Sequence, residues 1–230
     1  MPHRFKIYGL FRSGTNLLRH LVEEHLDARC DINEGGHKHL FTPQNWTAHG
    51  YVPQPVDMLV CVKDPYAAME SLFRYAQSVK FRHFRCAQEW EEFLHSRFVV
   101  AIDRQPQPPA FRFRDPVDYW NAVYYHMVSV ADRPLTIVRY EDMLADPDRV
   151  LAEIGERHGV AKTGTAVLPA RQMKKMTEQR PDDPFTGEAF DPAWYRDRLY
   201  LRAFDERQMA HMRAELDAEL AARLGYQVIS

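Results

Sequence analysis

The feature that most constrains this chain is a change of hydrophobic period across one short loop near its start. Residues Phe5 to Gly9 read as a strand, and beyond them Leu17, Leu18, Leu21, Val22 and Leu26 fall at helical spacing. Between the two lies GLFRSGTN, with Gly9 and Gly14 five positions apart. A strand that ends on glycine, turns within a few residues and opens a helix presents backbone N–H groups at a helix N-terminus, where an anion is favoured. The glycine spacing is that of a phosphate-binding loop.

The unit recurs. Met58 to Val62 (MLVCV) is a short apolar run rich in β-branched residues, and Pro65 then opens a helix carrying Ala68, Met69, Leu72 and Tyr75. A third run, Leu135 to Val138, leads through Arg139, Tyr140, Glu141 and Asp142 to Asp146 and Pro147. That pair reads as an N-cap with proline at the first helical position, and Val150, Leu151 and Ile154 then face inward. Strands alternating with helices predict an α/β fold, a P-loop-type parallel sheet flanked by helices on both faces, with ligands at the carboxyl ends of the strands. Two helical stretches, around Gln88 to Val100 and Val117 to Ala131, flank the proline-bearing segment Gln105 to Pro109, which reads as a lid or wall. Residues 160 to 190 read as loop-rich, and helical spacing returns at Met209, Met212, Leu216 and Leu220.

With 230 residues, 45% of them hydrophobic and 27% charged, the sequence is expected to form one domain over residues 1–230. Thirty basic against thirty-two acidic side chains give a formal charge of −2, so no global field draws it to nucleic acid or an anionic membrane. Any anion site must be local. Cys30, Cys61 and Cys86 lack metal-type spacing, which fits a reducing cytoplasm. The start, MPHRFKIYGLF, lacks a secretory pattern, and no segment reaches the roughly twenty apolar residues of a membrane span.

In the glycine loop, Thr15 and Asn16 stand where a nucleoside-triphosphate enzyme carries its lysine and its magnesium-binding hydroxyl. The cation is instead Arg12, whose guanidinium can clamp a phosphate or phosphosulfate from within the loop without a metal.

These residues resemble the first motif of the P-loop sulfotransferases, in which a lysine or arginine precedes Ser-Gly-Thr. The resemblance implies that Arg12, Ser13, Gly14, Thr15 and Asn16 hold the 5′-phosphosulfate end of 3′-phosphoadenosine 5′-phosphosulfate. The family's second motif, arginine-aspartate-proline with a serine eight positions after the arginine, is similar to KDPYAAMES, with lysine in place of arginine. It implies that Lys63 and Ser71 contact the 3′-phosphate. A third match, RYEDMLADPDRVLAEI, implies that Tyr140 lies near the nucleotide, and AELDAELAARLGY is similar to the closing helix of bacterial members. The implied activity is transfer of a sulfuryl group to an acceptor hydroxyl or amine, a carbohydrate or small metabolite before a protein.

Such a transfer needs a base for the acceptor's proton, and histidine suits neutral pH. The segment GGHKHLF lies where family members often carry their base, and His39 is the expected one, with His37 its rival. A metal site at these two histidines lacks a nearby cysteine or acidic residue to complete it. Trp46, Tyr75, Trp120, Tyr124 and Tyr125 are candidates for an acceptor pocket or for core. Lys174, Lys175, Arg196 and Arg198 are candidates for a late phosphate contact or for solvated faces. Two alternatives stay open, a P-loop small-molecule kinase and a catalytically inactive nucleotide-binding module.

Overall fold

A computed structural model of the chain describes residues 2–31, 38–39, 56–101, 110–129, 135–173 and 185–229. Along the chain run β1 (His3–Gly9), α1 (Thr15–His25), β2 (Ala28–Asp31), β3 (Asp57–Val62), α2 (Pro65–Ser78), β4 (Phe84–Arg85), α3 (Trp90–Phe93), β5 (Phe98–Ala101) and β6 (Ala110–Phe113). There follow α4 (Pro116–Ser129), β7 (Leu135–Arg139), α5 (Tyr140–Ala145), α6 (Pro147–His158), β8 (Arg171–Met173), β9 (Phe185–Ala189) and α7 (Ala193–Arg196). A 3-10 turn (Leu199–Ala203), α8 (Glu206–Glu215) and α9 (Ala218–Arg223) complete the order. The chain divides into two compact units, Met1–Lys63 with His126–Asp197, and Asp64–Tyr125 with Arg198–Ser230.

The first unit is α/β. Its sheet has the order β2, β1, β3, β7, and every pair is parallel. Alternate residues of the central strands face opposite ways, and both sets are buried: Phe5, Ile7, Leu59 and Cys61 on one side, Lys6, Tyr8, Met58, Val60 and Val62 on the other. A strand buried on both faces needs an unbroken apolar run, which is what MLVCV supplies. The first set joins Leu17, Leu18, Leu21 and Val22 of α1 and Val150, Leu151 and Ile154 of α6 in one core. Asp146 caps α6 by accepting from the Arg149 N–H at 2.9 Å, Pro147 takes the first position, and Gly159 ends the helix at φ 64°.

Strand β2 leaves β1 on one side and β3 lies on the other, so the direction of winding reverses between β1 and β3. The crevice at the carboxyl ends of those two strands is where open parallel sheets bind ligands. The sequence does not announce β2, whose ARCD carries no long apolar alternation and lies at the sheet edge. Nor does it announce the antiparallel pair β8 and β9 within residues 160–190.

The second unit holds the antiparallel sheet β4, β5, β6. Here the expected helix over Gln88 to Val100 is corrected: only Trp90–Phe93 is helical, and Phe98–Ala101 is a strand. The aromatic and β-branched run Phe98, Val99, Val100 pairs with neighbours on both sides, which overrides the helical spacing. The unit's two sequence segments are stitched by side chains. Trp90 Nε1 donates to the Ala203 carbonyl at 2.6 Å, Gln208 Nε2 to the Trp90 carbonyl at 2.9 Å, and Asn121 Nδ2 to the Glu215 carbonyl at 2.7 Å. Trp120 and Tyr124 are fully buried here and Tyr125 is exposed. The segment Gln105 to Pro109 lies outside the described residues. No described helix is long and apolar enough to cross a membrane, and Cys30, Cys61 and Cys86 form no disulfide.

Candidate functional site

The loop between β1 and α1 is built from backbone conformations that few residues adopt. Arg12 (φ 66°) and Gly14 (φ 98°) are both left-handed, with Ser13 between them. Left-handed residues so close together turn the chain sharply between β1 and α1. Gly14 is also the N-cap of α1, without a side-chain cap, so the first-turn N–H groups of an eleven-residue helix point out of the same loop.

Two glycines are fixed by close approach. A Cβ on Gly14 would overlap the ring carbons of Tyr140, and a Cβ on Gly9 would stand 2.6 Å from the Cys61 carbonyl oxygen. Thus Tyr140, at the carboxyl end of β7, rests its ring directly on the loop. Burial, and next the neighbouring Tyr195, push the Tyr140 hydroxyl well above its ordinary pKa, so it stays a neutral donor.

The remaining residues of the first motif take distinct positions. Arg12 is exposed. Ser13 is fully buried, and both its N–H (3.2 Å) and its hydroxyl (2.9 Å) donate to the Leu10 carbonyl, so it braces the turn. Its carbonyl accepts from the Cys61 thiol at 2.9 Å, and burial pushes that thiol far up, so it is an inert brace beneath the loop. Thr15 is buried at the start of α1, and Asn16 Oδ1 accepts from Lys38 Nζ at 2.6 Å.

His39 is brought onto the loop from a distant part of the chain. Its Nδ1 lies 2.9 Å from the Gly9 carbonyl, and its ring stacks on Phe11 with centroids 4.1 Å apart. The neighbouring Lys38 carbonyl accepts from the Gly9 N–H at 3.0 Å, which clips the two segments together. A carbonyl oxygen carries no proton, so Nδ1 is the donor and the lone pair of the neutral ring is on Nε2. That is the tautomer in which a histidine serves as a base through Nε2. The rival His37 lies outside the described residues, as do Trp46, Lys174 and Lys175.

Lys63 directly follows β3 at the same end of the sheet. Only 1% exposed, its ammonium donates to the Arg12 carbonyl and to the Tyr195 hydroxyl, both at 3.2 Å. It sits 4.7 Å from the Tyr140 ring centre and 4.4 Å from that of Tyr195, whose rings meet edge to face at 4.9 Å. Two π-faces and two oxygens thus help to hold this buried cation. Ser71 belongs to the second unit, buried on α2. There Asp64 caps α2, accepting from the N–H groups of Tyr66 at 2.9 Å and Ala67 at 3.2 Å. Burial still pushes its carboxyl above the ordinary range.

The structure therefore gathers Arg12, Ser13, Gly14, Thr15, Asn16, His39, Lys63 and Tyr140 around one loop of the first unit. Sequence reading missed Tyr195, which lies in a stretch with no periodic signal, and Lys38, which was visible beside His39 in GGHKHLF. The assembled parts are two glycine-permitted close approaches, an outward helix N-terminus, three cations and one oriented imidazole. They suit an anionic ligand with a proton to be moved beside it. Comparison with known proteins gives no matching family model, no matching characterised protein and no matching solved structure.

Proposed function

We propose that this chain is a sulfotransferase with a P-loop-type sheet, moving a sulfuryl group from 3′-phosphoadenosine 5′-phosphosulfate to the hydroxyl or amine of a carbohydrate or small metabolite. The observation that supports it most is the convergence of His39 and Lys63 on the Gly9 to Asn16 loop from separate parts of the chain. The donor supplies an activated sulfur already bonded to a good leaving phosphate.

The protein's work is positioning and charge stabilisation. The N–H groups at the start of α1 and the Arg12 guanidinium hold the 5′-phosphosulfate, with Ser13 bracing the turn that presents them. His39 takes the acceptor's proton on Nε2 as the acceptor oxygen or nitrogen bonds to sulfur and the sulfur–oxygen bond to the phosphate breaks. Arg12 stabilises the charge left on that phosphate and, with a pKa above about 12, does not donate a proton to it. Lys63 reads the 3′-phosphate, and Tyr140 borders the nucleotide.

Thr15 and Asn16 in place of the lysine and hydroxyl pair weigh against a kinase, and the oriented His39 weighs against an inactive binding module. A melt titrated with 3′-phosphoadenosine 5′-phosphate tests the donor, because a ligand that binds only the folded state raises the melting temperature by mass action. The parent protein is expected to prefer it over adenosine 5′-phosphosulfate. The variant Lys63→Ala is expected to lose about tenfold or more of that preference. An unchanged melt at millimolar ligand sinks the donor assignment. Label transfer to a panel of hydroxylated acceptors then separates enzyme from binding module.

A further inference from the structure

At the opposite end of the same sheet, three side chains from three elements converge. His3 opens β1, Asp57 opens β3, and His158 is the last residue of α6. His158 Nδ1 lies 2.6 Å and His3 Nε2 3.0 Å from one and the same oxygen, Asp57 Oδ2. One donor atom from each residue falls in a group no wider than 4.8 Å. We propose that His3, Asp57 and His158 form a binding site for a divalent transition metal of the zinc class, separate from the phosphate loop.

Several features of the cluster suit a cation better than a plain hydrogen-bonded latch. The His158 side chain is only 2% exposed, and its second nitrogen, Nε2, lies 2.8 Å from the hydroxyl of the buried Thr136. An imidazole whose outer nitrogen is held by a protein partner while the inner one aims at a shared point is the arrangement that orients metal-ligating histidines. The Phe5 ring, fully buried, floors the cluster against both imidazoles, at 4.6 Å from His3 and 5.0 Å from His158. That leaves an apolar wall on the inside and the partly exposed His3 and Asp57 on the outside, open to solvent.

Charge agrees. The ligand from α6 stands in its last turn, where the carbonyl end of a twelve-residue helix carries partial negative charge and favours a cation. Two imidazoles and one carboxylate form a nitrogen-rich set that selects zinc, cobalt, nickel or copper over magnesium or calcium. Metal–ligand bonds of roughly 2.0–2.2 Å at tetrahedral angles put ligand atoms about 3.3 Å apart. The separations of the two nitrogens from Asp57 Oδ2 must therefore grow by less than 1 Å, a change that rotation of the partly exposed Asp57 and His3 side chains supplies while His158 stays held.

The test is metal binding by the full, metal-stripped chain. Equilibrium dialysis against Zn²⁺ is expected to give about one ion per chain at micromolar free metal, and Co²⁺ to give the visible bands of a low-symmetry site. His3→Gln and Asp57→Asn, each at a half-exposed position, are expected to abolish that ion while the circular dichroism spectrum stays that of the parent. Thr136→Val keeps all three ligands and is expected to weaken affinity by roughly 10–100-fold, the range for losing an outer partner of a ligand. A latch without metal function would show this variant's effect only in stability. Fewer than half an equivalent bound at about millimolar free Zn²⁺, far weaker than built sites, or an ion retained equally by His3→Gln and Asp57→Asn, overturns the proposal.

Discussion

The two ends of the four-stranded sheet solve opposite electrostatic problems with opposite materials. At the carboxyl end the chain uses backbone N–H groups, two glycines, Arg12 and Lys63, all suited to negative charge. At the amino end, roughly 20 Å away along a seven-residue strand, it uses two imidazoles and a carboxylate beside a helix C-terminus, all suited to positive charge. Parallel strands and their returning helices impose this polarity, because every crossover helix starts near the carboxyl ends and finishes near the amino ends. The comparison teaches that the carboxyl end rests on left-handed backbone conformations that its side chains supplement, whereas the amino end rests on side chains that a helix terminus supplements.

That contrast can be broken in order of expected effect. Gly14→Ala forces a left-handed alanine and displaces the Tyr140 ring, so a loss of about 2 to 4 kcal/mol in urea unfolding is expected, together with loss of nucleotide binding. A variant as stable as the parent would show that the loop is not locked by conformation. His39→Ala is expected to slow transfer by roughly 100-fold with little change in donor affinity, read by steady-state kinetics and calorimetry. Full turnover with an intact pH profile would move the base elsewhere.

Smaller effects sharpen the picture. Tyr195→Phe removes one of the two oxygens on the Lys63 ammonium and leaves the π-face, so about 0.5 to 1.5 kcal/mol of stability is expected to go. A null result would assign the hold on Lys63 to the rings. In metal-free protein His3→Gln is expected to cost under about 1 kcal/mol, since its pair with Asp57 is about a third exposed and screened by water. A larger loss would mean that the amino end carries more of the fold than its side chains suggest.

Much of the anion end was legible in the sequence because its determinants are local. Gly9, Arg12 and Gly14 lie within one loop, and Lys63, Asp64 and Pro65 mark a strand end running into a capped helix. Strands β1 and β3 were legible because burial on both faces demands an apolar run, and β7 because its short apolar LTIV leads on to the capped helix α6. The cluster His3, Asp57, His158 was not, because its members lie 54 and 101 positions apart along the chain and no spacing rule joins them. Strand β5 was misread as helix because Phe98 and Val100 satisfy either period over so short a stretch, and only its pairing partners decide. The brace at Cys61 and the tyrosine at 195 are products of packing, not of motif.

The interleaving of the two units has a consequence for the order in which the protein can be made. Residues 64–125 are inserted between β3 and β7, and the segment that completes their unit, Arg198–Ser230, follows the whole of the first unit in the chain. On a ribosome the first unit has all its residues once Asp197 has emerged, while Trp90 and Asn121 still await Ala203, Gln208 and Glu215. Until then the second unit holds apolar groups such as Phe93 and Leu94 without the segment that finishes its hydrogen bonding. Nascent chains of this protein are therefore expected to pass through a state with one unit complete and the other open, the state most exposed to chaperones and to aggregation.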